Sequence, residues 1–162
     1  MGIMDSSSPN NSLFDAMRGL WVAATPEECV RQKIIKKMIH ALHFPKELIV
    51  VEKELKELPH LSALALPQRR VDILVYGKNI HPQHLLYPLL LIECKKDAIE
   101  EKAIEQLIGY NSHVQAYFVA LASPEEERFG YRDKKTKQYI FHSGFPTFND
   151  LISWLVLPPT PA

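Results

Sequence analysis

Residues Leu85 to Lys95, LLYPLLLIECK, form an apolar run that ends in charged residues, and this run is the strongest indication of the fold. Its composition is typical of a buried β-strand, and it is too short to cross a membrane, which takes roughly 18 apolar residues. Side chains alternate between the two faces of a strand, so Glu93 and Lys95 share one face while Cys94 points the other way. A charged pair at the end of so apolar a strand needs a partner or a function.

The expected partner is Asp72, which interrupts a second apolar strand, Val71 to Tyr76. Between the strands, Gly77 to His84 contains Gly, Asn and Pro and predicts a turn. In the resulting antiparallel hairpin, Asp72 faces residues near 89–93, so two carboxylates and one ammonium converge at one end of the sheet. Two adjacent carboxylates repel unless a cation lies between them. Mg²⁺ suits this arrangement because it takes one or two carboxylates and completes its shell with water and phosphate oxygens.

A third acidic residue is expected from a helix that begins at the sequence Thr25-Pro26-Glu27-Glu28 and runs to about residue 42. Thr25 is predicted to be the N-cap, Pro26 the first helical residue and Glu28 the second half of a capping box. Glu27 lies on the helix stripe of Val30 and is expected to face the sheet. Glu27 is therefore favoured over Glu28 as the active-site residue, and Glu28 stays open as the alternative.

A second helix, Ala98 to Ser112, contributes Gln106. This residue lies among the apolar positions Ala103, Leu107 and Tyr110, so it is expected to face inward, where a buried amide needs a hydrogen-bond partner. The active-site lysine, a water molecule or a phosphate would each serve. His81 and His84 are spaced as metal ligands can be, but no further ligand lies nearby in the sequence.

The remaining pattern completes an α/β arrangement with a mixed sheet flanked by helices. An amphipathic stretch covers Leu13 to Val22, and strands are expected at Leu48 to Leu55 and Ala116 to Ala122. A hairpin of Phe129 to Arg132 and Gln138 to His142 follows, and then a helix at Thr147 to Leu155. The predicted organisation is a disordered N-terminus at 1–12, one domain at 13–157 and a flexible tail at 158–162.

Composition limits the classes of function. The 162 residues are 46% hydrophobic and 23% charged, as in an ordinary globular protein. The 19 basic and 19 acidic residues cancel, which argues against a general nucleic-acid coat but leaves room for a local basic groove. Cys29 and Cys94 suggest no disulfide framework, and a cytoplasmic protein without membrane contact is expected. Each basic cluster, taken singly, is typical of a solvated face. The clusters are Lys33/Lys36/Lys37, Arg69/Arg70, Lys95/Lys96 and Lys134/Lys135/Lys137.

Four motifs in order carry a resemblance to a known family. They are residues 25–32 (TPEECVRQ), 70–73 (RVDI), 91–95 (LIECK) and 106–111 (QLIGYN). This pattern resembles the PD-(D/E)xK nuclease superfamily, and within it the N-terminal nuclease domain of type I restriction enzyme R subunits in a standalone form. Two departures stand out: no GxxxxGK[ST] helicase motif is present, and Ala122-Ser123-Pro124 with an acidic run replaces the usual Asn-Gly.

The resemblance implies a restriction-endonuclease-like fold and a metal-dependent nuclease that hydrolyses DNA. It implies Asp72 and Glu93 as metal ligands, Lys95 as the residue that positions or activates water, and Glu27 and Gln106 in support. The cation would be Mg²⁺, with Mn²⁺ as a substitute. The alternative is a nucleic-acid-binding or assembly module with little or no turnover, and a homodimer or a partner subunit also stays open.

Overall fold

The computed structural model describes residues 11–61, 66 and 68–156. The strands are β1 (Ser12–Asp15), β2 (Leu20–Ala23), β3 (Ile49–Glu54), β4 (Arg70–Lys78), β5 (Leu86–Cys94), β6 (Phe118–Ala122), β7 (Glu127–Arg132) and β8 (Tyr139–Ser143). The helices are α1 (Pro26–His40), α2 (Glu101–Val114) and α3 (Phe148–Val156), with short 3₁₀ turns near residues 46–48, 55–57 and 59–61. The predicted disordered start and flexible tail fall mostly on residues 1–10 and 157–162, which lie outside the described residues.

A six-stranded mixed sheet forms the centre of the fold, in the order β3-β4-β5-β6-β7-β8. Only β5 and β6 are parallel, and α2 forms the crossover between them. The predicted α/β fold with helices flanking a mixed sheet is confirmed. Strands β5 and β6 are buried along almost their full length, as expected for strands covered on both faces.

The β4–β5 hairpin sets the position of the charged residues at the sheet end. Ile73 pairs with Ile92 and Val75 with Leu90, as the predicted register requires. The register then shifts by one residue, so that Tyr76 pairs with Pro88. The shift falls next to the proline because proline has no N–H to donate to the ladder.

Residues 12–23 differ from the sequence-based expectation of a single amphipathic stretch. They form a separate antiparallel hairpin, β1–β2, in which Phe14 pairs with Trp21. Asp15 closes its turn, since one carboxylate oxygen accepts from the backbone N–H groups of Met17 (2.8 Å) and Arg18 (3.1 Å). In the described part of the chain, no helix is both long and apolar enough to span a bilayer.

Candidate active site at the β4–β5 sheet end

Asp72 and Glu93 lie at the same end of the sheet. Because Ile73 pairs with Ile92, Asp72 and Glu93 are the next residues towards that end. One oxygen of Asp72 accepts from the backbone N–H of Cys94 at 2.8 Å, which fixes the carboxylate against the end of β5. The predicted approach of Asp72 and Glu93 is therefore what the hairpin produces.

Lys95 follows directly after β5 and is partly buried. Its backbone N–H donates to the carbonyl of Ala122 at 2.8 Å, so the parallel β6 holds this end of the chain. The positive charge of the Lys95 ammonium lowers the pKa of the Glu93 carboxyl. This effect is smaller than those of burial and of Asp72, which raise the same pKa. Glu93 and Lys95 thus lie near one another, as the strand alternation predicts.

Asp72 also belongs to a network that we call the arginine cluster, formed by Arg18, Glu28, Arg31, Glu52 and Asp72. At its centre is Arg31 of α1, which is 5% exposed. Its guanidinium donates to Glu28 at 2.8 Å, to Asp72 at 3.2 Å and to Glu52. Burial alone would lower the pKa of Arg31, but the charges of Glu52, Glu28 and Asp72 outweigh it and raise that pKa. The cluster is a compensated set of buried and half-buried charges, with Arg31 as its buried cation.

Glu28, and not Glu27, is the acidic residue of α1 that belongs to this cluster. Its side chain is buried and accepts from Arg18 (3.0 Å), Gln32 (2.9 Å) and Arg31. Glu27 is partly buried, and among the described residues no hydrogen bond or ion pair joins its side chain to the site. The expectation that Glu27 faces the sheet in preference to Glu28 is corrected here, because the inward arc of α1 is centred one residue later.

The predicted cap of α1 is confirmed in its first half. Thr25 is the N-cap, its hydroxyl accepts from the backbone N–H of Glu28 at 3.1 Å, and Pro26 opens the helix. The second half of the capping box is wrong, because the Glu28 side chain turns towards Arg31 and Arg18.

Glu52 of β3 carries a backbone strain that points to the same place. Its φ is +53°, in the left-handed region that side chains other than glycine rarely adopt. Its carboxylate bonds to Arg31, and Arg70 lies 3.9 Å away. Such conformations cost about 1–3 kcal/mol and persist where surrounding contacts fix them, often at functional sites.

The carboxyl of Glu93, unlike the carboxylates of the arginine cluster, is buried with one oxygen unpaired among the described residues. It is 7% exposed, and within the described residues its Oε1 has no hydrogen-bond partner. Burial, and then the negative charge of Asp72, raise the pKa of Glu93 to about 9. Burial and the neighbouring Asp72 therefore favour the protonated form of this carboxyl at neutral pH.

Tyr110 and Arg69 accompany Glu93, and with Lys95 they make up what we call the Glu93 group. The Tyr110 hydroxyl is buried and has no partner among the described residues. Burial, and then the charge of Glu93, raise its pKa. The guanidinium carbon of Arg69 lies 3.9 Å from the centre of the Tyr110 ring, a cation–π contact. The charge of Arg69 lowers the pKa values of both Glu93 and Tyr110, so the exposed guanidinium lies beside the buried acid.

The two groups lie on opposite faces of β5. Glu93 and Cys94 are consecutive, so their side chains point to opposite faces. The charges of Arg31 and Glu28 shift the pKa of Cys94, whereas the charges of Arg69 and Lys95 shift the pKa of Glu93. The negative charge of Asp72 raises the pKa of both Glu93 and Cys94. Among the described residues, Asp72 is the carboxylate that joins the arginine cluster to the Glu93 group.

Two further predictions concern Gln106 and Cys94. The expectation that Gln106 faces inward is wrong, since its side chain is exposed. The buried stripe of α2 is Leu107, Tyr110, Asn111 and Val114. Cys94 is buried as predicted, and burial raises the pKa of its thiol, which disfavours the reactive thiolate.

The donor set at this sheet end fits a small divalent cation with few protein ligands. In the described ranges, no three His, Cys, Asp or Glu side chains are grouped for a metal, so the arrangement with Glu27 as third ligand is not found. Asp72 and Glu93 remain as an adjacent pair, and the orphaned Oε1 of Glu93 is the observation that favours a cation between them. Mg²⁺ accepts such a pair, whereas a closed protein cage is not its usual site.

Comparison with known families places this geometry in context. A family model described as the N terminus of type I restriction enzyme R proteins matches residues 26–146. The chain belongs to this family. The match covers α1 through the loop before α3, so it includes the strands that carry Asp72, Glu93 and Lys95. The restriction-nuclease-like character predicted from the four motifs is thereby confirmed. Among curated proteins, no match to the chain is found.

Sequence reasoning missed Arg18, Arg31, Glu52 and Arg69 as parts of this region. Arg31 and Glu52 each lie on an element predicted for other reasons, and nothing in their spacing singles them out. Tyr110 was recognised only as an apolar position of α2. Its unpartnered hydroxyl becomes visible only when the helix is packed on β5.

Proposed function

We propose that the protein is a metal-dependent nuclease that hydrolyses phosphodiester bonds of DNA, with Asp72 and Glu93 as the metal ligands. The observation that carries the proposal is the unpartnered, buried Oε1 of Glu93 beside Asp72. An unsatisfied buried oxygen costs about 1–3 kcal/mol, and such a cost is expected where a ligand completes the site. When bound, Mg²⁺ would polarise the scissile phosphate and lower the pKa of an attacking water.

The chain's own residues would divide the remaining tasks. Lys95 orients the attacking water and offsets the negative charge that grows on the phosphate. Arg69, exposed and fixed by its stacking on Tyr110, can bind a non-bridging phosphate oxygen. Arg31 donates to one oxygen of Asp72 and thereby orients that carboxylate. The Tyr110 hydroxyl can donate a hydrogen bond to Glu93 once that residue is ionised.

A second function is favoured by a specific feature of the same site. Both oxygens of Asp72 are already hydrogen-bonded, one to Arg31 and one to the Cys94 N–H. A site in which Arg31 serves as the permanent cation would bind nucleic acid or a partner protein without cleaving. The chain would then be a binding or assembly module of the same family.

Replacement of Lys95 separates the two functions. Lys95→Ala should lower metal-dependent cleavage of DNA by about 10²–10³-fold, because it removes a charge that acts mainly in the transition state. Lys96→Ala is the matched control, since Lys96 is an exposed neighbour, and it should change the rate less than about threefold. Linear, nicked and single-stranded DNA would be incubated with each protein in Mg²⁺ and in Mn²⁺.

The outcomes are distinct. Loss of activity in Lys95→Ala alone supports the nuclease. If the wild-type protein cuts none of the substrates, the binding module replaces it. If both lysine variants cut as fast as wild type, the site assignment is wrong.

A further inference from the structure

A second candidate site lies along the β7–β8 edge of the sheet. There an open groove of about 1620 Å³ is bordered by the end of α2, the β7–β8 hairpin and α3. In the parallel pair, Cys94 and Ala122 are opposite each other at the Asp72 end, whereas Leu90 and Phe118 are opposite each other at the end next to the β7–β8 turn. Four residues of strand separate the two ends, about 13 Å at the usual rise per residue. No residue that lines the groove belongs to the arginine cluster or to the Glu93 group, so the groove is distinct from the candidate active site.

The rim of the groove is locally basic in a chain of zero net charge. Four cations lie within six residues of the β7–β8 turn: Arg132, Lys134, Lys135 and Lys137. In the described part of the chain none of them forms an ion pair, whereas Arg18, Arg31, Lys37 and Arg70 each bind carboxylates. The single acid of the turn, Asp133, is used locally, since it accepts from the Thr136 N–H at 2.8 Å. Arg132 donates to the backbone carbonyl of Lys137 at 3.1 Å, whereas the three lysines are exposed and available to an anion from outside.

The floor of the groove carries aromatic rings. Trp154 is 40% exposed, and its ring packs edge-on against Phe118 (6.1 Å between centroids) and at a tilt of 43° against Phe129 (5.8 Å). Tyr131 stacks on the exposed His142, with ring planes 22° apart. Rings that are fixed by their neighbours and open on one side can stack on a planar ligand at little entropic cost.

We propose that this groove binds a single strand of nucleic acid, with Lys134 and Lys135 on the phosphates and bases stacked on Trp154 and Tyr131. Aromatic platforms beside a basic rim are the two components of sequence-tolerant single-strand binding. A duplex would present its phosphates but keep its bases stacked on each other. A second copy of the chain would bring a like-charged hairpin to the rim. The proposal does not depend on cleavage at Asp72.

Trp154 supplies a direct reporter of the groove. The chain has two tryptophans: Trp21 lies in the β1–β2 hairpin and Trp154 in helix α3. In Trp21→Phe protein, addition of dT15 or rU15 should quench the remaining emission, because a base stacked on the indole quenches it. The titration is made in EDTA, so no cleavage occurs. Tighter binding of one oligonucleotide identifies the sugar that the groove prefers, and quenching by either supports the proposal.

Charge reversal tests the rim with a matched control. Lys134→Glu/Lys135→Glu should weaken dT15 binding at least about tenfold and reduce the slope of log Kd against log salt by about 1.4, the loss of two single-strand phosphate contacts. Lys36→Glu/Lys46→Glu changes the net charge equally at exposed positions away from the groove, and should leave that slope unchanged. Thermal unfolding verifies that both variants are folded.

Three results would overturn the proposal. Equal weakening by the two double variants would show that binding follows net charge and not the groove. Duplex DNA binding as tightly as dT15, without quenching, would show that bases do not enter. Quenching by an acidic peptide such as oligoglutamate, with none by either oligonucleotide, would assign the groove to a protein partner. Loss of cleavage in Lys95→Ala leaves all three readouts unaffected, so this proposal and the nuclease fail separately.

Discussion

Asp72 and Glu93 are neighbours across two strands, yet their surroundings are opposite. Asp72 has a partner for each oxygen and shares Arg31 with Glu28 and Glu52. Glu93 is about as deeply buried as Arg31, but its Oε1 has no partner among the described residues. The arginine cluster is complete without any ligand, whereas the Glu93 group is not. The arginine cluster is therefore a scaffold that positions Asp72, whereas the Glu93 group is where a ligand is expected.

The largest effect is expected from breaking the arginine cluster. Arg31→Met leaves three carboxylates without their common cation, and removal of one partner from a buried charge network typically costs about 3–5 kcal/mol in the free energy of unfolding. Arg128→Met is the control, because Arg128 and Glu126 form only an exposed pair at 3.7 Å, for which about 0–1 kcal/mol is expected. Urea denaturation measures both. Similar losses in the two variants would show that the cluster is not the scaffold inferred here.

The next effect concerns the pH dependence of stability. Burial, and then Asp72, raise the pKa of Glu93 from an ordinary 4.5 to about 9. Its stabilising contribution is therefore fully present below pH 4.5 and is lost as the pH rises towards 9, by at most about 1.4 kcal/mol per pH unit. Glu93→Gln stays neutral and should lack this loss.

Urea denaturation in EDTA at pH 5.5, 7 and 8.5 tests that expectation. The free energy of unfolding of wild type should fall relative to that of Glu93→Gln at each step. Parallel profiles would mean that Glu93 is ionised in the folded protein and has a partner.

A smaller effect decides between the two acids at the start of α1. Glu28→Gln removes the charge that pairs with Arg31 and Arg18, and should cost about 1–3 kcal/mol. Glu27→Gln changes a side chain outside the cluster and should stay within about 0.5 kcal/mol. Thermal unfolding of the matched pair measures the difference. A larger cost for Glu27 would restore the original preference for that residue.

The sequence was sufficient for the strand pairing at the centre of this comparison. Alternation along β5 placed Glu93 and Lys95 on one face, and the turn at 77–84 limited the register to a few residues around the observed one. The face on which a strand residue lies can be predicted reliably from a period-two pattern, because all residues of one face are buried or exposed together. The short hairpin β1–β2, by contrast, has too few residues for its pattern to separate a strand pair from a helix.

The helices were harder to predict in detail. Consecutive helical residues differ by about 100° around the axis, so Glu27 and Glu28 both border the inward arc of α1, and only packing decides between them. The same uncertainty of one residue put Gln106 inside, whereas Leu107 is the buried position. The roles of Arg31 and Tyr110 depend on side chains from other elements, which no spacing along the chain reveals.

The proposed function predicts that Glu93 holds a proton until a divalent cation binds between it and Asp72. Calorimetric titration with Mn²⁺ at pH 7, in Hepes and in Tris, measures proton release from the difference in heat between the two buffers. Because the pKa of Glu93 is about 9, close to one proton should be released per cation bound, and Glu93→Gln and Asp72→Asn should both bind far more weakly. Binding without proton release, or binding of equal strength in Glu93→Gln, would contradict the account.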